Sequence, residues 1–367
     1  MRKVGVRGWL LHDVTHRGIT AWLLAAVIFA FYIVLYFGGQ YGIPDLVSPW
    51  AEQLGLSSKW VLYGALYSAA IVLGGFWMLW KYRHNRYQVV RTLVVMVVQV
   101  TLGFSVPQML KHAGQPEYYF SYLWPLKIDY FYPYNITGLP WPYVVYSVVG
   151  ALVMVPVLGV FFGKRWYCSW VCGCGGLANT AGEPFRHLTS KSTPAWRFEK
   201  VAIHTVLIAA LLATALAIGS ALLPEESPIV PVAGKYREFY GIIVGGILSG
   251  VIGVGLYPIG GTRAWCRNFC PMAAILGLVQ KLGRFRIRVK KDMCISCGLC
   301  SKYCEMGIDV RSYAQANQSF TRASCVGCGM CAEVCPRGVL TLENVTRKDP
   351  QEAVRRAPGR ASLPIIT

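Results

Sequence analysis

Eight of the thirteen cysteines stand in two runs, CISCGLCSKYC at 294–304 and CVGCGMCAEVCP at 325–336. Each run reads C-x2-C-x2-C-x3-C. In that spacing three thiolates wrap one 4Fe–4S cubane through a tight turn, while the fourth reaches across to a second cubane. Small residues such as Gly298 and Gly329 let the backbone close on the sulfur. One cluster is therefore expected on Cys294, Cys297, Cys300 and Cys335, and the other on Cys325, Cys328, Cys331 and Cys304. Zinc also takes C-x2-C pairs, but eight thiols in this double register point to iron–sulfur cubes. Such ligands must be free thiolates, which implies a reducing compartment. Pro336 follows Cys335, whereas Glu305 stands at the matching place after Cys304. A carboxylate there is expected to make its cluster harder to reduce, so that the two potentials differ.

A second group lies earlier. GKRWYCSWVCG at 163–173 aligns with GTRAWCRNFCP at 261–271, so that Cys168 matches Cys266, Cys172 matches Cys270 and Arg165 matches Arg263, each at an offset of 98 residues. C-x3-C places two thiols at i and i+4 on one face of a helical turn. Cys168, Cys172, Cys266 and Cys270 can thus supply the four ligands of a third iron–sulfur cluster or of another soft-metal site; small cysteines packing helix ends are the plainer alternative. Arg165 and Arg263 would lower thiolate pKa values and offset a cluster's negative charge. Cys174 has no cysteine at its counterpart, and its role stays open between a spare thiol and an alternate ligand.

These residues need elements to hold them. Hydrophobic residues make up 54% and charged residues 14% of the 367, with a mean hydropathy of +0.42, too apolar for a water-soluble globule. Six windows are long enough to cross a bilayer: Ile19–Gly39, Trp60–Trp80, Gln88–Val106, Tyr143–Phe162, Val201–Leu223 and Phe239–Tyr257. Arg91 sits near one end of the third, where snorkelling to the interface is expected. Basic residues crowd one set of loops (Arg2, Lys3, Arg7 and Arg17; Lys81, Arg83 and Arg86; Lys164, Arg165, Arg186, Lys191, Arg197 and Lys200), while the others carry only Lys59, Lys111, Lys127, Lys235 and Arg237. By the positive-inside rule both termini and the loop 163–200 are cytoplasmic, in a multi-pass inner membrane. That rule also accounts for the net charge of +19 without nucleic acid. The first apolar run lacks a small-residue cleavage site and reads as a retained anchor.

The chain divides into a cytoplasmic segment at 1–18, a six-helix transmembrane domain at 19–282, a two-cluster ferredoxin domain at 283–345 and an extended basic tail at 346–367. The fold class is an α-helical membrane protein with a C-terminal α+β ferredoxin-like domain. The loop 107–142 is rich in Tyr, Trp and Pro; it reads as an interfacial aromatic belt, or else as a docking surface or the wall of a quinone pocket. Trp166, Trp170 and Trp265 read as interface anchors, and GGILSGVIGVG at 245–255 as a small-residue packing face.

The order of these parts resembles the membrane-bound polyferredoxins of the periplasmic nitrate reductase quinol-dehydrogenase type. The membrane half of the nitrous-oxide-reductase regulator and the cytochrome-oxidase accessory ferredoxins are similar. The resemblance rests on the paired C-x3-C motifs followed by the double ferredoxin run, over roughly 140–340. This chain departs from the family at Gly173, where a proline is usual, and at Cys174. The resemblance implies electron transfer between the quinone pool and a partner oxidoreductase, with other subunits of a membrane redox complex as partners. No Ser–His–Asp set, P-loop or dinucleotide-binding pattern argues for an enzyme of another kind. Of the histidines only His204 lies within a span, too few for a transmembrane haem held by this chain; Lys111 and His112 lie on the outer side, where they can assist quinol deprotonation, and His12 and His16 read as a surface helix. The competing function class is an assembly factor that reduces or delivers copper, with Cu(I) on the C-x3-C thiolates.

Overall fold

The computed structural model describes residues 9–128, 138–163, 165–224 and 226–345. The basic segment 1–8, Lys164, the stretch 129–137 of the aromatic loop and the tail 346–367 lie outside the described residues. Six helices are long and apolar enough to cross a membrane: α1 Ile19–Phe37, α2 Lys59–Lys81, α3 Arg86–His112, α4 Trp141–Phe162, α5 Thr193–Leu222 and α6 Ile229–Gly255. Their outward faces are apolar, with Leu222, Ile19, Leu73 and Val201 all largely exposed. A water-soluble monomer does not leave apolar surface of this extent uncovered, and such faces suit the hydrocarbon of a membrane.

Several helices outrun the apolar windows that announce them. Asn85 caps α3, its side chain accepting a hydrogen bond from Gln88 N. Ser192 does the same for α5 through Ala195 N, with Pro194 in the first turn. Caps and a proline start a helix among polar residues that hydropathy alone leaves out. Within the bundle α2 packs on α3, α1 on α6, and α5 on the first half of α6. The small-residue face of α6 lies on α1: a Cβ on Gly250 would come 2.5 Å from the Tyr36 ring, and one on Gly255 3.0 Å from Phe29.

Past α4, and past a short turn after α6, a glycine of positive φ redirects the chain: Gly163 at 57° and Gly261 at 90°. Two broken helices follow in each copy, Trp166–Trp170 with Gly173–Asn179, and Ala264–Asn268 with Pro271–Val279. The copies embrace. A Cβ on Gly163 would lie 2.2 Å from Phe285, which leaves the second copy, and one on Gly261 would lie 2.2 Å from Thr189, which leaves the first.

The C-terminal region closes on a two-stranded antiparallel sheet, β1 Phe285–Val289 with β2 Leu340–Asn344, in the register Phe285↔Asn344, Ile287↔Leu342 and Val289↔Leu340. Phe285, Ile287 and Val289 point inward, as the period of two requires. Both cysteine runs lie between the strands. Gly298 and Gly329 hold φ of 75° and 77° just before the turns Leu299–Lys302 and Met330–Glu333. The region sits tightly on the helices: Gln88 Nε2 donates to Cys328 O and the Tyr87 hydroxyl to Gly327 O, both at 2.7 Å.

Candidate metal centres

One cavity is lined by Cys294, Cys297, Cys300 and Cys335, with Arg311 and Arg337 at its edge. The fourth cysteine comes from the second run, as the crossed pattern requires. Burial pushes the Cys300 thiol up to about 11, and Cys335, Cys297 and Cys294 add to the shift. Burial likewise raises Cys331, and Cys328, Cys325, Cys304 and then Cys300 add to the shift, so the second foursome gathers around Cys331 with Cys300 of the first close by. Backbone N–H groups point at sulfur from Ile308 to Cys304, from Gly327 to Cys325 and from Val339 to Cys335, each at 3.4 Å. Thiols crowded until each raises its neighbours' pKa are relieved by a multiply charged metal group. Among the described residues no three His, Cys, Asp or Glu side chains converge on a single ion. A cube lined by thiols on several sides fits this wider donor set.

Cys168, Cys172, Cys266 and Cys270 also come together, each at most 3% exposed and in one packed cluster. They are not paired on helical turns. Cys172 and Cys270 are the N-cap residues of the second short helix in each copy, in extended conformation, so each C-x3-C straddles a helix break. Pro271 explains the break in the second copy. Gly173 permits it in the first. Burial raises the Cys168, Cys266 and Cys270 thiols, whereas a hydrogen bond from Cys174 holds Cys172 down at about 7. Cys174 packs against the same cluster, making a fifth thiol. Its counterpart 98 residues on is Met272, 1% exposed in that cluster, so sulfur occupies both places.

The two arginines exchange places between copies. Arg165 donates to Cys266 O at 2.9 Å, and Arg263 to Cys168 O at 3.4 Å. Arg263 also reaches Cys266 Sγ, Asn179 and Glu305. Arg165 further binds Ala323 O through Nε and Cys325 O through its backbone N–H. Ser169, between Cys168 and Cys172, donates to Val326 O between Cys325 and Cys328. The second ferredoxin run therefore lies directly against the membrane cysteines.

Several expectations change. Glu305 is fully buried, 3.0 Å from Arg263 and 3.7 Å from Arg186. Burial would raise its carboxyl, but Arg263, Arg186 and Arg91 outweigh that and hold it below the usual carboxylate range. It is therefore an ionised carboxylate whose charge is paired with buried arginines. Arg91 does not snorkel. It is 1% exposed and donates to Asn179 and Gln88. Trp265 is buried and anchors no interface, while Trp166 donates to Val155 O and Trp170 meets Tyr87 edge to face. His204 bonds Lys200 O.

The cysteines also sit deeper than helix ends. A Cβ on Gly176 would meet Val95, Ile71 and Gln99, and one on Gly74 the backbone of Thr180 and Ala181, so the Gly173–Asn179 helix is inserted between α2 and α3. The aromatic loop reaches in from the other end: Tyr118 and Leu123 are buried and the Tyr167 hydroxyl donates to Ser121 O. Tyr67, Gln99, Ser121 and Tyr122 thus enter the site. The loop's density of tyrosine signalled Ser121 and Tyr122, while nothing in the sequence singled out Tyr67 on α2 or Gln99 on α3.

Comparison with known families agrees with this arrangement. A family of 4Fe-4S dicluster domains matches residues 287–342. A second family, a 4Fe-4S binding domain, matches twice, over 144–192 and 242–290, each match enclosing one C-x3-C pair. Among curated proteins, the Escherichia coli K12 relative named as electron transport protein YccM is 30% identical over 41% of this chain and 44% of its own. The methylamine utilization ferredoxin-type proteins MauN of Paracoccus denitrificans and Methylobacillus flagellatus are 31% and 28% identical, over 45% and 43% of this chain and 56% and 54% of theirs. The chain spans about half the length of these relatives. No solved structure matches. The chain carries 4Fe-4S ferredoxin-type domains and is homologous to one protein named for electron transport and to others named as ferredoxin-type.

Proposed function

We propose that this protein is a membrane-bound iron–sulfur wire that passes electrons between the quinone pool and a partner oxidoreductase. Cys294, Cys297, Cys300 and Cys335 hold one 4Fe–4S cluster, Cys325, Cys328, Cys331 and Cys304 a second, and Cys168, Cys172, Cys266 and Cys270 a third. The membrane is the cytoplasmic one, with the ferredoxin domain and both termini on the cytoplasmic side. The observation that carries the reading is Arg165, which touches Cys325 O and Cys266 O at once. One side chain separates the second cluster's loop from the membrane cysteines. Electron transfer requires that closeness; inert structural clusters would not. The names of the relatives support the same class of function.

Metal analysis and EPR of anaerobically purified protein test it. Three cubanes bring about twelve irons per chain and two bring about eight. Reduction of all the clusters by added quinol in membranes is the expected result. Copper in place of the last four irons would favour metal delivery instead, and an absent cubane signal would end the proposal.

A further inference from the structure

We infer that a redox protein with an acidic face docks over the outermost cysteine site, that of Cys297, on a basic collar of Lys290, Lys291, Arg311 and Arg337. This rests on the electron-wire reading above and gives the partner in water its chemistry. Arg311 and Arg337 line the same cavity as the four thiols, and a Cβ on Gly298 would lie 3.8 Å from Arg311 Nη1. Lys290 donates its backbone N–H to Val339 O at 2.9 Å, and Val339 lines that cavity too. Lys290, Lys291 and Arg337 are exposed. Among the described residues none of these four side chains makes a hydrogen bond, an ion pair or a ring contact. The carboxylates nearby are engaged elsewhere: Asp292 accepts from Asn317 at 2.7 Å and Asp309 from Ser301 at 2.6 Å.

Other cations of this domain serve the fold. Arg286 and Arg288 share Glu343, and Arg322 lies over the Trp196 ring. The collar has no such use, and like charges held close together repel and weaken the compact state. A cube on four thiolates is itself an anion, which the two arginines at its edge offset; Lys290 and Lys291 are then surplus. Inside the collar stand Ile295, 56% exposed, and Pro336, also exposed, beside the exposed Cys297. A small apolar centre within a charged rim is the form of a transient electron-transfer contact, which buries less than about 1,200 Å². The face is also free. The domain bonds to the helices through Ser324, Gly327, Cys328 and Glu333, and among the described residues no hydrogen bond or ion pair to the helices comes from 290–298 or 336–338. The collar is thus turned away from the bilayer, and the chain's own tail, with Arg355, Arg356 and Arg360, is repelled by it. An acidic partner satisfies the charge. One electron then passes between the cube and the partner's own centre, the one oxidised as the other is reduced, with no bond or proton exchanged.

The test uses the full-length protein in nanodiscs of neutral phosphatidylcholine, reduced with dithionite and desalted. The probe is cytochrome c in two forms: native, which is basic, and with its lysines succinylated, which keeps the haem and makes the surface acidic. At about 20 mM salt the acidic form should be reduced at least tenfold faster than the basic one, and most of that advantage should vanish at about 0.5 M, where screening cuts the reach of charge to a few Å. Reversal of the two lysines together, Lys290→Glu with Lys291→Glu, should slow the acidic form at least tenfold and quicken the basic one, with iron content and the reduced EPR spectrum as in the parent. Should that variant fail to assemble, Lys290→Gln with Lys291→Gln decides, with a smaller shift in the same direction. Equal rates for the two forms, unmoved by salt or by either variant, overturn the collar but leave the wire in place. Equal rates joined by binding to phosphatidylglycerol vesicles that the reversal abolishes assign the collar to a lipid surface and overturn it as well. A parent protein without iron or a cubane signal overturns the wire reading and the collar with it.

Discussion

The residues with most at stake are the buried charges. Arg91, Arg186 and Arg263 are each at most 1% exposed, and Glu305 and Glu183 at most 2%. Taking an ion out of water costs several kcal/mol unless it is paired, and Arg186 has only a 3.7 Å ion pair with Glu305, with no hydrogen bond through any of its three nitrogens. Its neighbours are Glu305, Tyr82, Glu183 and Cys328. The surplus positive charge therefore faces the cluster held by Cys328 and Cys304, and it favours the reduced form, which carries one more negative charge. At an effective dielectric near 20 and a separation of ~10 Å, one such charge is worth roughly 1.5 kcal/mol. Arg186→Gln should lower that cluster's midpoint by about 59 mV, a tenfold change for one electron, in a potentiometric EPR titration. An unchanged or raised midpoint would refute the assignment. Sequence showed Glu305 as an oddity but not the arginines that surround it. They come from α3, from the loop at 186 and from the second copy, and no local pattern joins them.

At the scale of elements, the duplication was legible because it lies in types and spacing. Gly163 and Gly261, Cys168 and Cys266, Arg165 and Arg263 repeat at one interval, and the structure makes each copy brace the other. Pro271 marks the break inside the second C-x3-C pair, but the first, at Gly173, was not legible, since i and i+4 spacing fits an unbroken turn equally well. Nor was the insertion between α2 and α3, which depends on Gly74, Gly173 and Gly176 meeting partners distant in sequence. Gly261 shows how narrow the fit is. At φ 90° and ψ 169° an L side chain is strained by about 1–3 kcal/mol, and a Cβ would also lie 2.6 Å from Thr189 N. On the proposed assignment, Gly261→Ala should therefore cost the membrane cysteines a third cluster, about four irons per chain, while the ferredoxin domain keeps its own. Full iron content in that variant would show that the copies need not embrace.

Across the whole molecule the centres fall in an order. Cys297 is exposed, and Ile295 beside it is 56% exposed, so the Cys294/Cys297/Cys300/Cys335 group lies at the free surface. The Cys325/Cys328/Cys331/Cys304 group faces the helices through Gln88, Tyr87 and Arg165. The membrane cysteines come next, met from the far end by Ser121, Tyr122 and Leu123. On the proposed reading, one end serves a membrane donor or acceptor and the other a partner in water, with the middle cluster as the bridge among the described residues. Cys297→Ser at the watery end should remove or alter the outermost cluster alone. Quinol should still reduce the remaining centres at close to the parental rate, whereas electron delivery to any soluble acceptor should fall at least tenfold. The same substitution at Cys328 should instead leave quinol able to reduce only the membrane site. If Cys297→Ser abolished quinol reduction of every centre, electrons would be entering through the exposed cluster, and the order inferred from the contacts would be reversed.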